Sequence, residues 1–302
     1  MHHPKRPLFA LFLRLCSTLV FSAMFVLIKR GAERGVSVPE IIFWRQALTP
    51  PAIALWLWHS GGLHRLRTAR IKAHGLRALV GSTNMAMTFT AATLLPLAVT
   101  ITLGFTTPLF AVLLSALWFR EHVGPWRWLS VLLGFAGVLI IAQPGGGHVN
   151  LLGAGLALAG GCVVAVINYQ IRDLGRTEEP IRTVFWFGLF GTLVTLPFLP
   201  FYASAHELEN WGILLALGVS GLIGQMLLTA SLRHGAVVSV LVVDYVSLLW
   251  AALFGWLYWD QLPPAVTWLG APLIIGAGLI IVWRERVLHR AAAALAAPNT
   301  VE

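Results

Sequence analysis

Between Leu8 and Val287 the chain alternates apolar runs of about twenty residues with short polar breaks, and that rhythm leaves few folds open. A hydrocarbon layer of roughly 30 Å takes about 20 helical residues to cross. Within it only helices or closed barrels satisfy every backbone polar group. Ten runs of helical length are read: Leu8–Ile28, Pro39–Trp58, Leu76–Leu95, Ala98–Phe119, Trp126–Ala142, Leu151–Tyr169, Thr183–Phe201, Trp211–Leu232, Val237–Tyr258 and Val266–Val287. The breaks hold turn residues or charge, as in SGGLHRLRTARIKAHG, QPGGGHVN and DQLPP. They are too short for an inserted soluble domain. Only 11% of residues are charged, against about 25% in a soluble domain, whose helices need a wet face.

The halves of the chain repeat one another. TAATLLPLAVTITL and LWFREHVGPWRWL in the first half correspond to LTASLRHGAVVSVL and LYWDQLPPAVTWL in the second. Each set precedes a glycine-bearing apolar helix, GFAGVLII or IGAGLIIV. Five helices per half is an odd number, so the halves enter the membrane in opposite senses. The expected fold is therefore an all-α integral membrane protein of ten transmembrane helices in two inverted repeats. The repeats cover residues 1–147 and 148–290, followed by a disordered cytoplasmic tail over 291–302. Secondary transporters recurrently use this plan and place the binding site between the repeats, near the midplane.

Basic residues set the orientation. With the N-terminus inside, sixteen lysines and arginines fall on the cytoplasmic side, Arg65, Arg77 and Arg182 among them. Lys29, Arg30 and Arg34 face the other way, and Arg14 and Arg45 lie within helices. This asymmetry explains the net charge of +9 without nucleic acid as a partner. It places both termini on the cytoplasmic side of a cell inner membrane.

The residues of soluble enzymes are missing. No GxxxxGKS/T, GxSxG or HExxH motif occurs, and Cys16 and Cys162 have no metal-type spacing. No catalytic residue, cofactor or metal is expected. Asp244 is the one acidic side chain placed well inside a helix, at a depth of roughly 12 Å from the cytoplasmic end. A carboxylate there is costly unless partnered. Arg14, at roughly 9 Å from the same side, is the expected partner, with Asn84 and Gln225 at about 10 to 12 Å. The Arg14–Asp244 pair admits two readings: a structural tie between helices, or a gate and coupling site at which Asp244 changes partner. Arg45, in FWRQ, sits roughly 9 Å from the outer boundary. It either snorkels outward or holds an anionic group in its planar fork. Tyr245 offers a hydroxyl beside Asp244. Trp186 and Trp250 lie deeper than the interfacial tryptophans and either line a cavity or pack. Gly134, Gly137, Gly276 and Gly278 are read as close-contact positions for the scaffold or a dimer, and Pro108 and Pro272 as kinks.

Taken together, FWRQ, LPLAVTITLGFTTPLFAVLLSALWFREHVGPWRW, GFAGVLIIAQPG, GQMLLTASLRHG and DYVSLLWAALFGWLYWDQLP make a chain that resembles the EamA family of the drug/metabolite transporter superfamily, from about Leu8 to Trp283. The acidic residue that follows the family's fourth helix corresponds to Glu121, while Asp260 replaces the usual glutamate after the ninth. The resemblance implies a central cavity lined by helices one to four and six to nine, braced by the fifth and tenth. It also implies that Arg45, Asp244 and Tyr245 face substrate. The function expected is export of a small polar or amphipathic metabolite, such as an amino acid, by alternating access. Import of a vitamin or nucleoside-like molecule (riboflavin, S-adenosylmethionine) and a non-transporting membrane scaffold are the alternatives. The expected partners are a small-molecule substrate, the lipid bilayer and, as a candidate coupling ion, protons; the chain is expected as a monomer or homodimer.

Overall fold

A computed structural model describes residues 7–117, 120, 124–143, 149–234 and 243–296, which are helical with no strand among them. Glu121 and residues 297–302 lie outside the described residues, as do Ser239 to Val242 at the start of the ninth run. The first half comprises α1 (Pro7–Glu33), α2 (Val38–Ala47), α3 (Thr49–His59), α4 (Ile71–Leu94), α5 (Leu97–Gly104), α6 (Thr107–Leu117) and α7 (Pro125–Ala142). The second comprises α8 (Leu151–Leu174), α9 (Pro180–Thr195), α10 (Leu199–Tyr202), α11 (Leu208–His234), α12 (Ser247–Trp259) and α13 (Ala265–Ala296). Helix α13 therefore continues over 291–296, where a disordered tail was expected.

Among the described residues, seven segments are long and apolar enough to cross a bilayer. The other three expected spans differ for visible reasons. The second is cut at Leu48, because Pro50 and Pro51 lack backbone N–H donors, so that α2 cannot run on into α3. The third, α4, is long enough but carries Arg77, Ser82, Thr83 and Asn84. The ninth begins, within the described residues, with a 3₁₀ turn over Val243–Val246.

The fourth span also breaks, at Phe105 and Thr106 just before Pro108. Here the freed carbonyls find local partners: Thr106 Oγ1 donates to Leu103 O and Thr107 Oγ1 to Gly104 O. Pro272, by contrast, stays inside the continuous α13. Irregular backbone at membrane depth is tolerated where protein or a wet cavity covers it. Phe105 is covered by the Tyr245 ring, edge to face at 4.9 Å.

The two halves interlock. Helix α1 packs along α11, α4 along α8, and α7 along α13, while α2 and α3 meet α9 and α5 meets α12. The core at this seam draws on both halves: Met24, Ile41 and Met85 bury against Phe187, Leu214 and Leu217. Large apolar side chains such as Leu132, Leu139, Leu152 and Leu269 face outward, as a lipid solvent allows. Trp58, Trp126, Trp211 and Trp268 are exposed at helix ends, where interfacial tryptophans sit.

Backbone-to-backbone contact between α7 and α13 depends on two glycines. A Cβ on Gly137 would meet Gly270 O at 2.7 Å, and one on Gly270 would meet Gly137 O at 2.6 Å. Gly134 accommodates Leu109, Gly278 accommodates the Tyr245 hydroxyl, and Gly276 faces open space. Gly137→Val should therefore force α7 from α13 and cost about 1–3 kcal/mol, the usual scale of overpacking. A drop of several degrees in the thermal unfolding midpoint of the purified protein is the expected reading, with Gly276→Val as the silent control.

Candidate functional site

Asp244 is reached by the side chain expected. Arg14 on α1 donates from Nε to Asp244 Oδ1 and from Nη2 to Oδ2, a two-pronged ion pair between the halves. The turn carrying Asp244 is fastened by Ser247 Oγ, which donates to the Asp244 carbonyl. The Arg14 side chain is 9% exposed and that of Asp244 30%, so the carboxylate is the less buried end of the pair. Arg14 Nη1 has no partner among the described residues.

Arg45 does not snorkel. It is buried in the last turn of α2, with Nε on Met24 Sδ and Nη1 on Met85 Sδ, each at 3.4 Å. Thioethers are weak acceptors, and among the described residues no carboxylate lies within ion-pair distance. Beside it, Gln46 Nε2 donates to Ser82 Oγ at 3.2 Å and leaves its Oε1 unpartnered. Arg77, counted from the sequence with the cytoplasmic charges, is also buried. Its guanidinium lies over the Phe187 ring at 4.5 Å, and its Nε and Nη1 lack partners among the described residues.

The remaining expected residues are not gathered into one group. Asn84 faces Gly160 of α8, and its buried Oδ1 has no described partner. Gln225 is half-buried on α11, next to Gly224, whose carbonyl accepts from Ser17 Oγ of α1. Trp250 holds a buried indole N–H without a described partner. Tyr245 turns from the carboxylate toward α13, its hydroxyl against Gly278. Trp186 donates Nε1–H to Leu66 O at 2.9 Å, in the loop after α3, and stacks on Phe190.

Polar contacts close both ends of the seam. At one end, buried Glu40 meets buried His206 at 2.8 Å and Arg34 meets Glu209 at 2.5 Å. At the other end, the loop after α3 grips the loop between α8 and α9. Arg65 bonds Glu179, Arg70 bonds Asp173, and Glu178 accepts from Thr68 and Arg182 at 2.8 Å each. Buried His74 stands 3.8 Å from Glu178.

A model of the EamA-like transporter family matches the sequence twice, over residues 8–143 and 151–283. This chain belongs to the EamA-like transporter family. Among its EamA-like relatives, the pseudopaline exporter CntI of Pseudomonas aeruginosa is 30% identical over 88% of this chain and 93% of its own. A riboflavin transporter of Brucella anthropi is 26% identical, over 87% and 94%. An S-adenosylmethionine uptake transporter of Rickettsia bellii is 25% identical, over 74% and 77%. A solved crystal structure, 20% identical, superposes with a TM-score of 0.62 over 92% of this chain and 98% of the other, a likeness of fold alone. The family membership, the transporter-named relatives and the apolar helices make this EamA-like chain a multi-pass membrane transporter.

The cluster of His74 and Glu178 makes the stability depend on pH. Burial pushes the His74 imidazole below its usual range, against the pull of Glu178. For Glu178, burial pushes the carboxyl up, but hydrogen bonds from Arg182 and Thr68, with the charges of Arg182 and His74, outweigh it and hold it low. Both groups are thus lowered in the folded state, so the unfolded chain binds protons first and acid destabilises the fold. The His74 contribution is present above pH ~6.5 and is lost on acidification through its lowered folded value, before that of Glu178. His74→Gln should flatten the fall in unfolding midpoint between pH 7 and 5.5 while leaving the steeper loss at lower pH.

Proposed function

We propose that this protein is a secondary transporter that exports a small polar or amphipathic metabolite, amino-acid-like in size, across the inner membrane by alternating access. The observation that carries the reading is the Arg14–Asp244 fork, which joins the two halves inside the membrane. In this reading residues 1–147 and 148–290 form five-helix halves of opposite insertion. Supporting it, exchange of the halves turns the α1–α11 pair into α8–α4 and returns α7–α13, α2–α9 and α5–α12 to themselves. A pseudo-twofold axis lying in the membrane plane relates helices in that way.

With both ends of the seam held by polar contacts, opening to one side requires breaking one set while the other holds. The inner set comprises Arg65–Glu179, Arg70–Asp173, the Glu178 cluster and Trp186 on Leu66; the outer set comprises Glu40–His206 and Arg34–Glu209. Asp244 is the coupling group. Protonation removes its charge, weakens the fork and frees Arg14, which ties the inner closure to a proton gradient. Arg45, Asn84, Gln225, Trp250 and Asp244, spaced apart within the membrane-spanning helices, are the proposed substrate-facing positions. Tyr245 sits against α13, and Trp186 serves the inner closure. Export follows the relative named as an exporter at 30% identity. Import is the second reading, favoured by the relatives named for riboflavin transport and S-adenosylmethionine uptake.

Proteoliposomes loaded with radiolabelled metabolites, with and without a pH gradient, test the proposal. Wild type should show gradient-stimulated flux of at least one metabolite. Asp244→Asn, at normal expression, should slow it about tenfold, equivalent to 1.4 kcal/mol at the barrier, and abolish its pH dependence. A variant as fast as wild type, with the same pH profile, would remove Asp244 from the mechanism.

A further inference from the structure

Among the described residues, two buried cations have no counter-ion. Arg45 and Arg77 are each 8% exposed. Neither makes a salt bridge among the described residues, where Arg14, Arg34, Arg65, Arg70 and Arg182 all do. Removing a guanidinium from water without an opposite charge is strongly unfavourable. A protein that keeps two such groups side by side holds a site pre-arranged for an anion.

The geometry fixes their separation. Nη1 of Arg77 lies against Gly81, where an added Cβ would meet it and the Phe187 ring at 2.5 Å each. Arg45 Nη1 lies on Met85 Sδ. Gly81 and Met85 are one turn apart on α4, so the two guanidinium heads are offset by about 6 Å along that helix. Arg77 is also near enough to act electrostatically on Arg45. A planar oxyanion placed between two such forks can bond to both, the geometry in which arginine outperforms lysine.

The surroundings leave the forks without a neutralising charge. Phe187 supports one face of Arg77, Gly221 abuts the Arg45 stem, and Met24 and Met85 occupy its donors only weakly. Gln46 Oε1 and Arg77 Nε and Nη1 stand unpartnered beside them. Helices α2 and α4 supply the cations, while α9 and α11 of the other half supply Phe187 and Gly221. The site thus lies on the seam between the halves.

We propose that Arg45 and Arg77 together bind a carboxylate of the transported molecule, so that the substrate is an organic acid or an acidic amino-acid derivative. The assignment rests on the transport reading for the word substrate, but the binding site itself does not require flux. Occupation of the bridge neutralises the repulsion between two cations of the first half, and so lets α9 and α11 of the other half close over the ligand.

Thermal unfolding of the purified full chain in detergent tests this with succinate, citrate, L-glutamate and inorganic phosphate, against succinamide and L-glutamine as uncharged counterparts. At least one carboxylate should raise the wild-type midpoint in a saturable manner, with its amide inactive. Arg45→Gln and Arg77→Gln should each raise the half-saturating concentration about tenfold or more, and the lysine variants should lie between. Three results would overturn the proposal: no carboxylate effect, equal stabilisation by the amides, or stabilisation by phosphate alone. The wild-type comparison of acid with amide stands even if a glutamine variant does not fold. Carboxylate binding without flux in liposomes would sink the transport reading and leave this site intact. Flux of a labelled neutral metabolite with no carboxylate binding would do the reverse.

Discussion

An arginine and an aspartate meeting inside the bilayer govern how the rest of the chain can be arranged. A lone carboxylate at that depth costs several kcal/mol, and a two-pronged guanidinium partner offsets much of it. Because Arg14 belongs to the first half and Asp244 to the second, the offset is available only when α1 lies beside the turn before α12. The ion pair therefore selects one docking of the halves among the many that apolar helices in lipid would accept. It also makes that docking conditional, since loss of one charge leaves the other buried and alone.

Around that tie the structure separates rigid contacts from breakable ones. The α7–α13 contact, with Gly137 and Gly270 meeting backbone to backbone, is dry and close. The rest of the contact between the halves ends in charged and polar groups at both faces, and it contains helix breaks at Leu48 and Phe105 and a 3₁₀ turn before Ser247. The exposed ion pairs among those groups, Arg34–Glu209, Arg65–Glu179 and Arg70–Asp173, are of the individually weak kind, which suits contacts that must part and reform. Interrupted helices supply the hinge points and free backbone groups that continuous ones lack.

Much of the fold could be read from the residues, because a bilayer imposes length and hydropathy on every span. The Arg14–Asp244 contact was legible from depth and opposite sign alone. What escaped depended on direction. Arg77 was counted with the cytoplasmic charges because it stands second in the run that begins at Leu76, whereas α4 starts at Ile71 and the side chain lies against Gly81. Its proximity to a glycine one turn deeper was the available signal. Arg45 had equal reasons to reach out or in, and only the thioethers of two other helices decide. Trp186 was placed by hydropathy, but its N–H is claimed by a loop carbonyl that no periodicity reveals. The break at Leu48 was announced by Pro50 and Pro51, yet it hid inside an apolar run of ordinary length.

A double-mutant cycle across the halves tests the central tie most directly. Unfolding free energies would be measured for wild type, Arg14→Gln, Asp244→Asn and the pair of substitutions together. If the fork holds the halves, each single change strands a buried partner and costs about 3 kcal/mol, while the double change costs far less than the sum. Additive losses, within about 0.5 kcal/mol, would mean that the two side chains act independently and that the docking of the halves rests on something else.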